Sequence, residues 1–246
     1  MRNIRLILSY DGTDFSGWQY QPDARTVQGA VEEALGVLLA GPVRIGGSGR
    51  TDAGVHALGQ VANFRTDSRI ECRALLRGLN ALLPPDVRAL LVDEVPDSFD
   101  ARRSAILRTY RYLIYTGLVV SPFLARYAWH IPAPLDGDMM NRSGRHLVGT
   151  HDFASFAASG DETTTTVRDV VSFDVKQTGG GVLQIEIAAN AFLRHMVRSI
   201  VGTVVRVGSG KMCVEEFDEI IRARDRSRAG MTAPPQGLFL VEVLYP

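Results

Sequence analysis

The chain has 246 residues, 46% of them apolar and 22% charged, and its 27 basic and 27 acidic side chains cancel. That composition is that of an ordinary folded protein with a sizeable core, and the balanced charge argues against a nonspecific polycation without excluding nucleic acid. Cys72 and Cys213 are the only cysteines, too few for a disulfide framework or a zinc cluster.

Taken in chain order, "IRLILSYDG" predicts a strand over Ile4 to Tyr10 closed by an Asp-Gly turn. This opening apolar run is too short for a signal peptide or a membrane span, so the expected compartment is the cytoplasm. "TVQGAVEEALGVLL" predicts a helix capped by Thr26, with Val27, Val31, Leu35 and Leu38 on one face. "PVRI" reads as a short strand leading into a glycine-rich loop, and "GQVANFRT" as the strand after it. "ECRALLRGLNALL" is a helix stopped by Pro84 and Pro85, followed by the strand "VRALLVDEV".

The alternation in "RSAILRTYRYLIY" puts Ile106, Arg108, Tyr110, Tyr112 and Ile114 on one face of a strand. Pro132 and Pro134 read as a connector between halves, and a helix follows around Asp138 to Val148. "VRDVVSFDVK" and "VLQIEIAAN" are strands joined over Gly179 to Gly181. "AFLRHMVRSIVGTVVRVG" reads as one helix, with Phe192, Met196, Ile200 and Val204 spaced by four, and "GLFLVEVLYP" is a last strand. The order of elements predicts an α+β fold in which helices pack on mainly antiparallel sheets.

"GGSGRTDAGVHALGQVANF" is the stretch that asks for a chemical reading. Its glycines rival a phosphate loop, yet a Walker loop needs a Gly-Lys-Ser/Thr run and no lysine is near. The dinucleotide fingerprint fails as well, because Asp52 stands where the third glycine belongs. Asp52 then reads either as a turn former or as a carboxylate held open by glycine freedom at Gly46, Gly47 and Gly49. Arg50 close by favours an ionised carboxylate, which suits a nucleophile or base. No second carboxylate lies close enough in sequence for a glycosidase pair. The five histidines are scattered without an HxxxH pair, so no metal site is predicted.

Tyr110 and Tyr112 read either as sheet core or as an aromatic platform, with Arg108 on the same face. On a continuous helix Arg194 and Arg198 share one face, either a solvated flank or the wall of an arginine-lined cleft with aromatics, suited to a structured RNA or a nucleotide. The run Arg222, Arg224, Arg226 and Arg228 extends that cleft or is a soluble helix end. Lysine appears only at Lys176 and Lys211. An arginine-dominated basic set suits bidentate phosphate contacts, though a GC-rich coding sequence gives the same bias.

Together, "YDGTDFSGWQYQ", "TVQGAVEEAL", "GRTDAGVHALGQVANF", "LNALLPPDV", "FDARRSAILRTYRY", "GTHDFASF", "ANAFLRHMVRSIVGTVVRVG" and "GLFLVEVLYP" resemble the tRNA pseudouridine synthase A family, in order and across essentially the whole chain. "GRTDAGVHA" is the most specific of them. The resemblance implies isomerisation of uridine to pseudouridine at positions 38, 39 and 40 of the tRNA anticodon stem-loop, with no metal or organic cofactor. It implies two similar α+β halves with an active-site cleft between them, residues 1–103 carrying the GRTDAG loop and 104–246 carrying the RTYRY strand and the FLRHMVR helix. It also implies a homodimer in which one tRNA contacts both subunits.

By the same resemblance Asp52 is the catalytic aspartate and Tyr110 stacks on the target base. Arg50 helps open the RNA and fills the vacated space, and Arg198 approaches the catalytic carboxylate. The chain departs from the family pattern at Ala62-Asn63-Phe64, at Arg103, and at Thr163 to Thr166, where relatives carry an arginine and a proline.

Overall fold

Large apolar residues at every second position make the first strand, β1 (Arg2–Tyr10), bury Ile4, Leu6, Leu8 and Tyr10 on one face. The computed structural model describes residues 1–158 and 164–246, so Thr163 lies outside the described residues. In chain order the next elements are α1 (Val27–Leu39), β2 (Gly46–Gly47), β3 (His56–Thr66), α2 (Cys72–Leu82) and β4 (Val87–Val95). Then follow β5 (Leu107–Tyr115), α3 (Pro122–Ala125), β6 (Trp129–His130), α4 (Gly137–Gly144), β7 (Gly149–Asp152), β8 (Val167–Gln177) and β9 (Val182–Ala189). The chain ends through α5 (Met196–Gly208), α6 (Val214–Ala223) and β10 (Leu238–Leu244). The class is α+β, and two compact units divide it: Met1–Ile106 with Phe239–Pro246, and Leu107–Leu238.

In the first unit β1 lies between β3 and β4, antiparallel to both, with Ile4 opposite Phe64 and Leu6 opposite Ala62. β10 adds to the far side of β3 in parallel, Phe239 opposite His56. Thr26 caps α1 by accepting from the Gly29 amide at 3.2 Å. Leu83, next to Pro84, is extended and ends α2, as expected of a residue before proline. Asn80 locks α2 to β4 from both directions, donating to the Ala89 carbonyl and accepting from its amide. Asn63, one of the departures from the family pattern, joins β3 to the 99–101 segment by accepting from the Ala101 amide. Arg103 is exposed.

"PVRI" is not a strand. Buried Glu32 of α1 accepts from the Ile45 amide at 3.0 Å, and Gln28 donates to the Ile45 carbonyl at 3.2 Å. Side chains of α1 thus occupy both backbone groups that a strand would have offered to a neighbour. The extended pair that does join β3 comes just after, at Gly46 and Gly47.

In the second unit the sheet runs β5–β9–β8–β7, antiparallel throughout, and β6 adds in parallel to β5. Tyr112 and Ile114 face its core, fully buried. α4 packs on β8, α5 and α6. Met196, Ile200 and Val204 of α5 are fully buried, each stabilising by about 1.5–3 kcal/mol. Pro132 and Pro134 lie inside this unit and do not connect the two.

The helix expected to start at Ala191 begins only at Met196. His195 is left-handed, with φ 62° and ψ 0°, and that turn of the backbone cannot continue a right-handed helix. Gly202, on α5, sits so close to the segment after Gly230 that a Cβ there would run into the Met231 carbonyl. Gly202→Ala is expected to lower stability by about 1–3 kcal/mol, the usual cost of overpacking, read as a drop in the urea midpoint.

Candidate active site

Asp52 stands in a turn between β2 and β3, partly exposed, on backbone that is tied down on every side. Its own carbonyl accepts from the Val55 amide at 3.2 Å, and the Thr51 carbonyl accepts from the Trp18 amide at 3.0 Å. Beneath the turn the Tyr10 hydroxyl meets the Thr51 hydroxyl at 2.8 Å, both groups buried. Gln60, fully buried on β3, donates to the Gly49 carbonyl at 2.9 Å and accepts from the Ser48 hydroxyl at 2.6 Å.

The glycines work differently from the sequence expectation. None of Gly46, Gly47 and Gly49 has positive φ; Gly54 (φ 76°) and Gly17 (φ 94°) do. A Cβ on Gly17 would stand 2.7 Å from the Thr51 carbonyl oxygen, and one on Gly47 would stand 2.6 Å from the Trp18 ring. The glycines therefore let neighbouring segments close onto the Asp52 turn and hold its backbone in place.

Arg50 is exposed, one residue before Thr51, and among the described residues it forms no ion pair. Asp52 and Arg50 belong to the first unit. Tyr110 and Arg198 belong to the second. Tyr110, on β5, is buried to 9% exposure and meets Phe192 edge to face, with centroids 5.1 Å apart at 84°. Arg198, in the first turn of α5, donates through Nε to the Ala233 carbonyl at 2.7 Å, and the Ala233 amide returns a bond to the Arg198 carbonyl. The neighbouring Pro234 carbonyl accepts from the Tyr112 hydroxyl at 2.7 Å. Burial pushes the Tyr112 phenol far above its ordinary value, against the opposing charge of Arg198.

Two sequence expectations about arginines change. Arg194 precedes the left-handed His195 and lies outside α5, so it does not share a helix face with Arg198. The late arginines are engaged within the unit: Arg222 with Asp218, Arg224 with Asp152 and Arg228 with Glu219. Arg226 donates to the Gly230 carbonyl and the Thr232 hydroxyl, so this run is not a free basic wall. Sequence reasoning missed Tyr10, Gln60 and Ser48 as supports of Asp52. No local signal marks them, since each is a polar residue in or beside a strand.

The sequence pattern described as tRNA pseudouridine synthase matches residues 6–102 and 144–246. The chain is 43% identical over 245 residues to tRNA pseudouridine synthase A of Thermoanaerobacter sp. (strain X514), and 47% identical over 247 residues to that of Geobacter sp. (strain M21), with 100% of both chains covered in each case. Among solved structures it is similar to a Cbf5-Nop10-Gar1 complex, at TM-score 0.39 and 12% identity over 96% of this chain and 57% of that one.

Burial pushes the Tyr10 phenol up to about 12, although its bonds to Thr51 and Gln60 pull the other way. The folded protein thus holds the neutral phenol more strongly than the unfolded chain, where it ionises near 10. The stabilisation this implies is complete below about pH 10 and is lost as pH rises through about 12. Tyr10→Phe is expected to remove this part of the alkaline loss, leaving the part that Tyr112 contributes. At pH 7 the same variant leaves the buried Thr51 hydroxyl without its partner and costs about 1–3 kcal/mol. Urea unfolding at pH 7 and pH 11 reads both effects.

Proposed function

Because the chain belongs to the tRNA pseudouridine synthase family, we propose that it converts uridine to pseudouridine at positions 38, 39 and 40 of the tRNA anticodon stem-loop, with Asp52 as the reacting carboxylate. The family makes it an isomerase. What carries the assignment of Asp52 is the buried network beside one partly exposed carboxylate, in which Tyr10 bonds Thr51, Ser48 bonds Gln60 and Gln60 donates to the Gly49 carbonyl. A turn formed only for its own sake needs no such support.

The reaction breaks N1–C1′, turns the uracil and joins C5 to C1′, while the C5 hydrogen leaves and N1 gains one. It is redox-neutral, and the reading takes no metal or organic cofactor. The uridine must leave its stack before a carboxylate reaches it, at a cost of a few kcal/mol. Tyr110 stacks on the uracil and recovers roughly 1–3 kcal/mol of that. Arg50 helps open the RNA and fills the vacated space, and Arg198 supplies the positive charge that keeps the reacting carboxylate ionised. Residues 1–103 and 104–246 serve as the two halves of one catalytic unit. The reading extends to a homodimer that works on tRNA in the cytoplasm. No helix among the described residues is long and apolar enough to cross a membrane.

Incubation with an unmodified tRNA transcript, without added metal or cofactor, is expected to yield pseudouridine at positions 38 to 40, and binding without any pseudouridine would refute the enzymatic reading. Asp52→Asn is expected to abolish tritium release from C5-labelled uridine while tRNA affinity stays within a few fold. Near-normal turnover in that variant would remove Asp52 from its role. Tyr110→Phe keeps the ring and is expected to bind tRNA normally, so any loss of turnover reports the hydroxyl.

A further inference from the structure

Most arginines of the first unit are already engaged inside it. Arg2 pairs with Glu94, Arg5 with Asp93, Arg25 with Asp86 and Arg44 with Glu32. Arg69, Arg73 and Arg77 differ. All three are exposed, and among the described residues no hydrogen bond or ion pair engages their guanidinium groups.

Arg73 and Arg77 stand four residues apart on the face of α2 opposite the buried Leu75 and Leu79. Side chains so placed lie about 5–6 Å apart at Cβ, close to the separation of successive phosphates along one strand. Arg69 extends the row from the turn before the helix. Arg2 fixes that turn by donating to the Ser68 and Ile70 carbonyls at 3.0 and 3.1 Å.

Folding alone does not account for this row. The first turn of α2 holds no acidic residue, and Glu71 at its N-cap makes no side-chain capping bond. Arg73 instead adds a cation at the positive end of the helix dipole, where a cation opposes helix stability. Three exposed guanidinium groups in a row on a fixed backbone, none in a hydrogen bond or ion pair among the described residues, suit a polyanion with regular charge spacing.

We propose that Arg69, Arg73 and Arg77 form a ridge that binds the phosphate backbone of the RNA substrate, a surface separate from the Asp52 turn; the proposal rests on the reading that the substrate is a tRNA. Contacts of this kind set affinity and orientation and carry no base specificity.

The test uses the full-length protein and two double variants, Arg73→Glu with Arg77→Glu, and Arg73→Lys with Arg77→Lys. Binding of an unmodified tRNA transcript is measured across a salt series, together with kcat and KM for pseudouridine formation. For the glutamate pair, Kd and KM are expected to rise severalfold. The slope of log Kd against log salt is expected to flatten by about 2, at roughly 0.7–0.9 per phosphate contact. Its kcat at saturating tRNA is expected to stay within about twofold and its melting temperature not to fall, since an acid suits the start of a helix. The lysine pair keeps the charge and is expected to keep the slope. An unchanged slope and KM in the glutamate pair, alongside a wild type that forms pseudouridine, would overturn the ridge and leave the functional reading intact. A wild type that binds tRNA but forms no pseudouridine would overturn the functional reading, and the binding slope would still decide the ridge.

Discussion

The buried hydrogen bond between the Tyr10 and Thr51 hydroxyls is the interaction around which the first unit is arranged. It joins the end of a core strand to the residue before Asp52, so the backbone at Asp52 inherits its position from the sheet. A turn without a ladder of its own must still satisfy its backbone groups. Here Trp18, Val55, Gln60 and Val61 supply those bonds from three different segments. The backbone around Asp52 is therefore ordered when the unit folds. Gly17 and Gly47 allow the arrangement by giving up the Cβ that would hold the layers apart.

The second unit uses the same economy with different parts. The segment from Gly230 to Pro234 is fastened to Arg198, Thr203 and Tyr112, each through a main-chain group. That fixes the plane of the Arg198 guanidinium through Nε. Just upstream, the left-handed backbone at His195 costs about 1–3 kcal/mol for a residue other than glycine. It sets where α5 begins, and so puts Arg198 in the first turn of the helix instead of its middle.

Much of this was readable from sequence where a local rule governs. Alternation marked Ile4, Leu6, Leu8 and Tyr10, Thr26 announced its helix, and Pro84 ended the next. The failures share a cause, which is that the deciding partner lies far along the chain or in an unmarked backbone state. Glu32 takes the Ile45 amide, so the apparent strand before the glycines never pairs. Nothing in "FLRHM" signals a left-handed histidine, because the apolar spacing continues straight through it. Arg222 had a visible partner four residues earlier in Asp218, whereas the Asp152 partner of Arg224 could not be read. For the site, residue types and order pointed to Asp52. The buried polar residues that hold it did not stand out from other strand residues.

The position of β10 has a further consequence, in time. The second unit is one continuous stretch, whereas the first needs Phe239 and Leu240 beside His56 and Ala57 before the edge of β3 is covered. As the chain leaves the ribosome, the first unit shows an open strand edge, a few residues from Asp52, until residues 107–238 have been made and β10 follows them. An open edge of that kind invites wrong partners. The segment that closes it, with Phe239 stacked on His56 at 4.7 Å, is made only after the whole of residues 107–238. Met1–Ile106 thus waits for a strand that is made after residues 107–238.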